Sequence, residues 1–115
     1  MTMNNESGWA GKGATLSDKS AREEYGLTQD EIIKMIENGK LQYRINYVYE
    51  NPYFKLIRSE VEKVVEDIYG KSYLKISKLI NELKQVDKEL RSLQTQAKKL
   101  KIRKEELQSI INEQK

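Results

Sequence analysis

Between Lys71 and Lys115 the chain has neither glycine nor proline, and its apolar residues recur at alternating spacings of three and four. With Ile76 taken as heptad position a, the a residues are Ile76, Leu83, Leu90, Ala97, Lys104 and Ile111, and the d residues are Leu79, Val86, Leu93, Leu100 and Leu107. This stripe, with one charged interruption, predicts a single coiled-coil helix roughly 60 Å long at ~1.5 Å per residue. Alone in water such a helix exposes a continuous apolar seam, which soluble proteins avoid. The seam outreaches a head of about 55 residues, so the expected cover is a second copy of the chain.

Flanking charges bear on orientation. In a parallel pair Glu82 faces Asp87 of the other chain, and the remaining flanking contacts are neutral. In an antiparallel pair centred near Thr95, Leu90 meets Leu100, Leu83 meets Leu107, Glu89 faces Arg103 and Asp87 approaches Lys101. Exposed ion pairs contribute only a few tenths of a kcal/mol each, yet all of them favour the antiparallel homodimer.

Composition removes most enzyme chemistry. The chain has no cysteine and no histidine, which excludes disulfides, thiolate catalysis, Cys/His zinc sites and His-based dyads. No paired carboxylates or nucleophile–base pair stand out, so no enzyme, metal or cofactor is expected. No apolar run approaches the length of a membrane span, and residues 1–15 lack the basic start and apolar centre of a signal peptide. The expectation is a soluble, cytoplasmic protein. Charge is uneven along the chain: residues 16–70 hold eight Lys/Arg against eleven Asp/Glu, whereas residues 71–115 hold twelve against six.

Three segments follow. Residues 1–15, MTMNNESGWAGKGAT, show no apolar periodicity and are expected to be a disordered tail with Trp9 loose within it. Gly11-Lys12-Gly13 is not a phosphate loop, because the following Ala14 and Thr15 do not complete one. Residues 16–70 form the head and 71–115 the dimerisation helix.

Within the head, Ser17 caps a first helix with Ala21 and Tyr25 on one face, and Gly26 stops it. Thr28 and Glu31 form a capping box for a second helix whose Ile32, Ile33 and Ile36 face inward, until Asn38-Gly39 ends it. Residues 42–49, QYRINYVY, alternate as a strand, Glu50-Asn51-Pro52 reads as a turn, and Tyr53–Ile57 returns as a second strand. Ser59-Glu60-Val61-Glu62 reads as a further capping box, opening a helix with Val61, Val64, Val65 and Ile68 inward up to Gly70. Tyr43, Tyr47, Tyr49, Tyr53 and Phe54 are expected mostly to pack against the helices. Lys98, Lys99, Lys101, Arg103 and Lys104 read as a solvated face of the coil.

The order helix, tight turn, helix, two-stranded wing, helix predicts a mainly α protein: a small winged helix-turn-helix domain with a two-stranded β wing, then a long coiled-coil helix. Leu16, Ser17, Ala21, Gly26, Thr28, Gly39, Lys40 and Leu41, with Arg58-Ser59-Glu60-Val61 after the wing, resemble the opening of MerR- and excisionase-type DNA-binding domains. The resemblance covers about 45 residues. It implies double-stranded DNA as partner, an antiparallel coiled-coil dimer, and a role as transcriptional regulator or accessory factor for mobile-element or phage DNA. It further implies that the helix beginning at Thr28 enters the major groove while the hairpin lies along phosphates or in the minor groove. Carried over by position, Thr28 and its helix N-terminus meet a phosphate, Gln29 meets a base edge, and Lys34, Arg44, Lys55 and Arg58 neutralise backbone charge. Asp30, Glu31 and Glu37 depart from the pattern, standing where such domains carry basic residues. That acidity supports an alternative, an interaction adaptor or structural coiled-coil protein whose acidic head docks basic protein partners. No domain follows the coil, so no small-molecule effector is expected.

Overall fold

The computed structural model describes residues 6–115. The elements are α1 (Glu6–Trp9), β1 (Thr15–Ser17), α2 (Asp18–Tyr25), α3 (Gln29–Glu37), β2 (Tyr43–Val48), β3 (Asn51–Ile57), α4 (Arg58–Tyr69) and α5 (Lys71–Glu113). The protein is mainly helical, with one antiparallel sheet of order β1-β3-β2. Contacts divide the chain into a unit ending at Leu79 and a unit Ile80–Lys115.

Local signals place the helices. Ser17 Oγ accepts from the Ser20 N–H at 3.0 Å and starts α2, and Gly26 in the left-handed region (φ 75°) ends it by donating to Arg22 O. Thr28 and Glu31 make both bonds of the capping box, at 3.1 and 2.9 Å, and start α3. Leu16, Ala21, Tyr25, Leu27, Ile32, Leu41, Leu56, Val61, Val64 and Val65 then form one core, with Met35, Ile36, Phe54 and Leu74 packed on it.

Several expectations are corrected. The sheet has three strands rather than two, because Thr15, Leu16 and Ser17 pair with Ile57, Leu56 and Lys55. Part of the expected disordered tail is therefore structured, while residues 1–5 lie outside the described residues. Ala14 O accepts from the Arg58 N–H at 2.8 Å and Gly13 O from Arg58 Nε at 3.0 Å, so distant partners order this aperiodic stretch. Ile57 lies on the opposite face of β3 from Leu56 and is buried close to α1, where a Cβ on Gly8 would come within 3.2 Å of Ile57 Cδ1.

The hairpin turn is Tyr49-Glu50, tighter than expected, with Val48 paired to Asn51 and with Pro52 already in β3. Ile33 is exposed instead of inward, since Ile32 and Ile36 already fill the side of α3 that meets the core. Ile68 is likewise exposed at the end of α4. The capping box at Ser59 is absent: β3 runs directly into α4, and the Glu62 carboxylate is used instead by the Tyr25 hydroxyl at 2.7 Å.

The boundary at residue 70 also shifts. Although Gly70 separates α4 from α5, the first turns of α5 belong to the first unit. Tyr73 Oη donates to Tyr25 O at 2.8 Å, Leu74 packs on the core, and Lys78 lies 3.5 Å from Glu62.

The second unit is helical through Glu113, and no residue of α5 is buried within the chain. Ile76, Leu79, Leu83, Val86, Leu90, Leu93, Leu100, Leu107 and Ile111 are all exposed, as is Ala97. No helix among the described residues is long and apolar enough to cross a membrane.

Candidate nucleic-acid interface

Chemistry available for binding lies on α3 and on the β2–β3 hairpin, which are organised differently. On α3 the residues left exposed are Asp30, Ile33, Lys34 and Glu37, the i, i+3, i+4, i+7 stripe opposite Ile32. That stripe carries two carboxylates and one ammonium. Thr28 spends its hydroxyl on the cap. Gln29 turns inward, donating through Nε2 to Asp18 Oδ2 at 3.0 Å, while Asp18 Oδ1 accepts from the Phe54 N–H at 3.2 Å. Gln29 thus ties α2 and α3 to β3, and its Oε1 is buried without a partner. Glu31 accepts from the Thr28 N–H and from Tyr69 Oη, and these bonds, the first above all, hold its carboxyl below the usual carboxylate range.

Arg58 is also committed within the fold. Nη1 donates to Glu24 Oε1 at 2.7 Å and to Tyr25 Oη at 2.9 Å, and Nε donates to Gly13 O at 3.0 Å. The Glu24 bond is the leading cause that keeps its guanidinium more firmly protonated than usual. On the other side Tyr25 donates to Glu62, and burial first, this bond second, push its hydroxyl up from 10.0 to about 12. Because the folded state holds that proton more tightly, the head should lose stability as pH rises from 10 to about 12. Tyr25→Phe should show a smaller loss over this range, which chemical denaturation of both proteins would measure.

The hairpin carries two further cations singled out in the sequence, Arg44 on β2 and Lys55 on β3. Arg44 and Lys55 are directly opposite each other in the register and share the sheet face on which Ser17 also lies. The Arg44 guanidinium carbon sits 4.2 Å from the centroid of the Trp9 ring, so Trp9 is a defined part of this face rather than loose. Lys55, Tyr53 and Val48 line one cleft of about 610 Å³ together with Ser17 and Lys19 from the β1–α2 junction. Lys19, Trp9 and Tyr53 were missed in the sequence because only the β1–β3 pairing and the placement of α1 bring them here. Their local signal is a lysine just inside a capped helix and an aromatic beside the single proline.

Aromatic placement also differs from expectation. Phe54 and Tyr53 are half-buried, with Tyr43 edge-on to Phe54 at 5.4 Å, but Tyr43, Tyr47 and Tyr49 are exposed. β2 and β3 run past the helices, so their outer ends have no layer to pack on. Among the described residues no group of three or more His, Cys, Asp or Glu side chains is placed to hold a metal ion. Comparison with protein-family models, curated proteins and solved structures finds no match for this chain.

Proposed function

We propose that the chain is a dimeric DNA-binding protein of the MerR/excisionase-like winged-helix class, in which the hairpin supplies the main phosphate contacts. The observation that carries this reading is the directly opposed Arg44–Lys55 pair, with Lys19 in the same cleft as Lys55. The acidity of the head is less of an obstacle than its sum implies. Asp18, Glu24, Glu31, Glu60, Glu62 and Asp67 are all engaged in hydrogen bonds inside the fold. Lys34 is the cation on the exposed stripe of α3, and it fits a supporting phosphate contact. Arg58 does not fit such a role, because its donors already serve Glu24, Tyr25 and Gly13.

Dimerisation rests on the exposed seam of α5. The antiparallel pairing centred near Thr95 covers it with like apolar residues and sets Glu89 against Arg103 and Asp87 against Lys101. A second reading, a protein adaptor, is favoured by one feature, the exposed carboxylates of Asp30 and Glu37 on α3.

A salt titration of binding to duplex DNA separates the two. Affinity is expected to fall as salt rises, and Arg44→Ala or Lys55→Ala should each lower the slope of log affinity against log salt by about one. Arg58→Lys should leave that slope unchanged. Absence of binding at low salt would leave the adaptor reading in possession.

A further inference from the structure

The tip of the hairpin is built against its own backbone preference. Two residues, Tyr49 and Glu50, join β2 to β3, and both occupy the left-handed region with φ of 49° and 72°. Two-residue hairpin loops of this hand favour Asn-Gly, Asp-Gly or Gly-Gly, since a bulky side chain on an L-residue crowds its own backbone there. Tyrosine lacks the local hydrogen bonds that excuse Asn and Asp. Nor does packing repay the strain, because Tyr49 is 93% exposed, next to Val48 at 52% and Tyr47 at 66%. Strain held at an exposed aromatic, on an arm of paired strands, points outward to a ligand.

We propose that this tip is a base-stacking wedge, with Tyr49 as its leading ring and Tyr47 behind it, which takes unstacked bases at a distorted step of duplex DNA. The inference rests on the DNA-binding reading above and adds the kind of DNA preferred. Charge on the arm commits the occupant: Arg44 and Lys55 oppose each other nearer its base, the polarity expected of a limb that holds phosphates and reaches toward bases. From Arg44 to Tyr49 the strand advances about 16 Å at ~3.3 Å per residue, beyond the roughly 8 Å depth of either groove. Bases also offer a flat π-face regardless of sequence, which suits tyrosine rings with no fixed hydrogen-bond partner.

The test uses the full chain with two fluorescently labelled duplexes of equal length, one continuous and one carrying a two-nucleotide bulge marked with 2-aminopurine. The wild type should bind the bulged duplex at least about fivefold more tightly and quench its 2-aminopurine, the low end of base–aromatic stacking. Tyr49→Asn should abolish that preference while raising the melting temperature by a few degrees, since Asn suits the turn better. Loss of the preference therefore cannot be assigned to a damaged fold. Tyr49→Phe should keep the preference, and Arg44→Ala should weaken both duplexes alike. Equal affinity of the wild type for the two duplexes, or a Tyr49→Asn variant that still prefers the bulge, overturns the wedge and leaves the DNA-binding reading standing. Failure to bind either duplex overturns both.

Discussion

Arg58→Ala is expected to lower the stability of the head by about 2–3 kcal/mol, with no DNA present. From the start of α4 the guanidinium reaches two other parts of the chain: the residues before β1 through Gly13 O, and α2 through Glu24 and Tyr25. Hydrogen bonds to charged groups contribute more than neutral ones, and truncating one partner strands the other. Here the stranded group is a Glu24 carboxylate with 20% side-chain exposure, while the buried Tyr25 hydroxyl loses a donor but keeps its bond to Glu62. Partial access to water keeps the cost below that of a fully buried pair. For a domain of this size the loss corresponds to a fall in melting temperature of roughly 10–20 °C. Arg58→Lys should recover less than half, because an ammonium on a flexible stem does not span Glu24, Tyr25 and Gly13 at once. Thermal melting followed by Trp9 fluorescence reads the head directly. A variant that melts with the wild type but no longer binds DNA would assign Arg58 to the interface instead.

If the proposed dimer forms, Leu90→Lys should convert it to monomer. In the antiparallel pairing Leu90 lies opposite Leu100 near the centre of the seam, and symmetry places the substitution there twice. Each copy then loses a buried leucine, worth about 1.5–3 kcal/mol, and sets an ammonium against apolar neighbours. Together these weaken the dimer by at least about 4 kcal/mol, roughly a thousandfold in dissociation constant. Light scattering should give about twice 13.5 kDa for the wild type and 13.5 kDa for the variant. The helical signal of residues 80–115 should fall in parallel, since a helix that buries no side chain within its own chain would depend on the proposed partner. A wild-type mass of 13.5 kDa would remove the paired arrangement altogether.

How far the site could be read beforehand differs residue by residue. Arg44 and Lys55 were legible as cations of a hairpin, but their opposition needed the register, and the register depends on a two-residue turn that local preference argues against. Gln29 and Arg58 carry the same polar chemistry whether they face inward or outward. Only the positions of Asp18 and of Glu24 with Tyr25 turn them into the fold. The exposed tyrosines depart from expectation for a related reason: alternation identifies the two faces of a strand, whereas the extent of the covering layer decides which part of a face is wet.

What the amino-acid order determined alone is the set of features governed by neighbours a few residues apart. These are the serine and threonine caps, the glycine stop of α2, the buried faces of α2 and α4, and the unbroken seam of α5. Such signals are local because the helical period and the cap bonds close within one or two turns. The third strand, the Arg58 tie, the Trp9–Arg44 stack and the inclusion of Tyr73 in the first unit were decided only in three dimensions. Each joins residues more than thirty positions apart, and no periodicity spans that distance; the partners are chosen by the packing that brings them together.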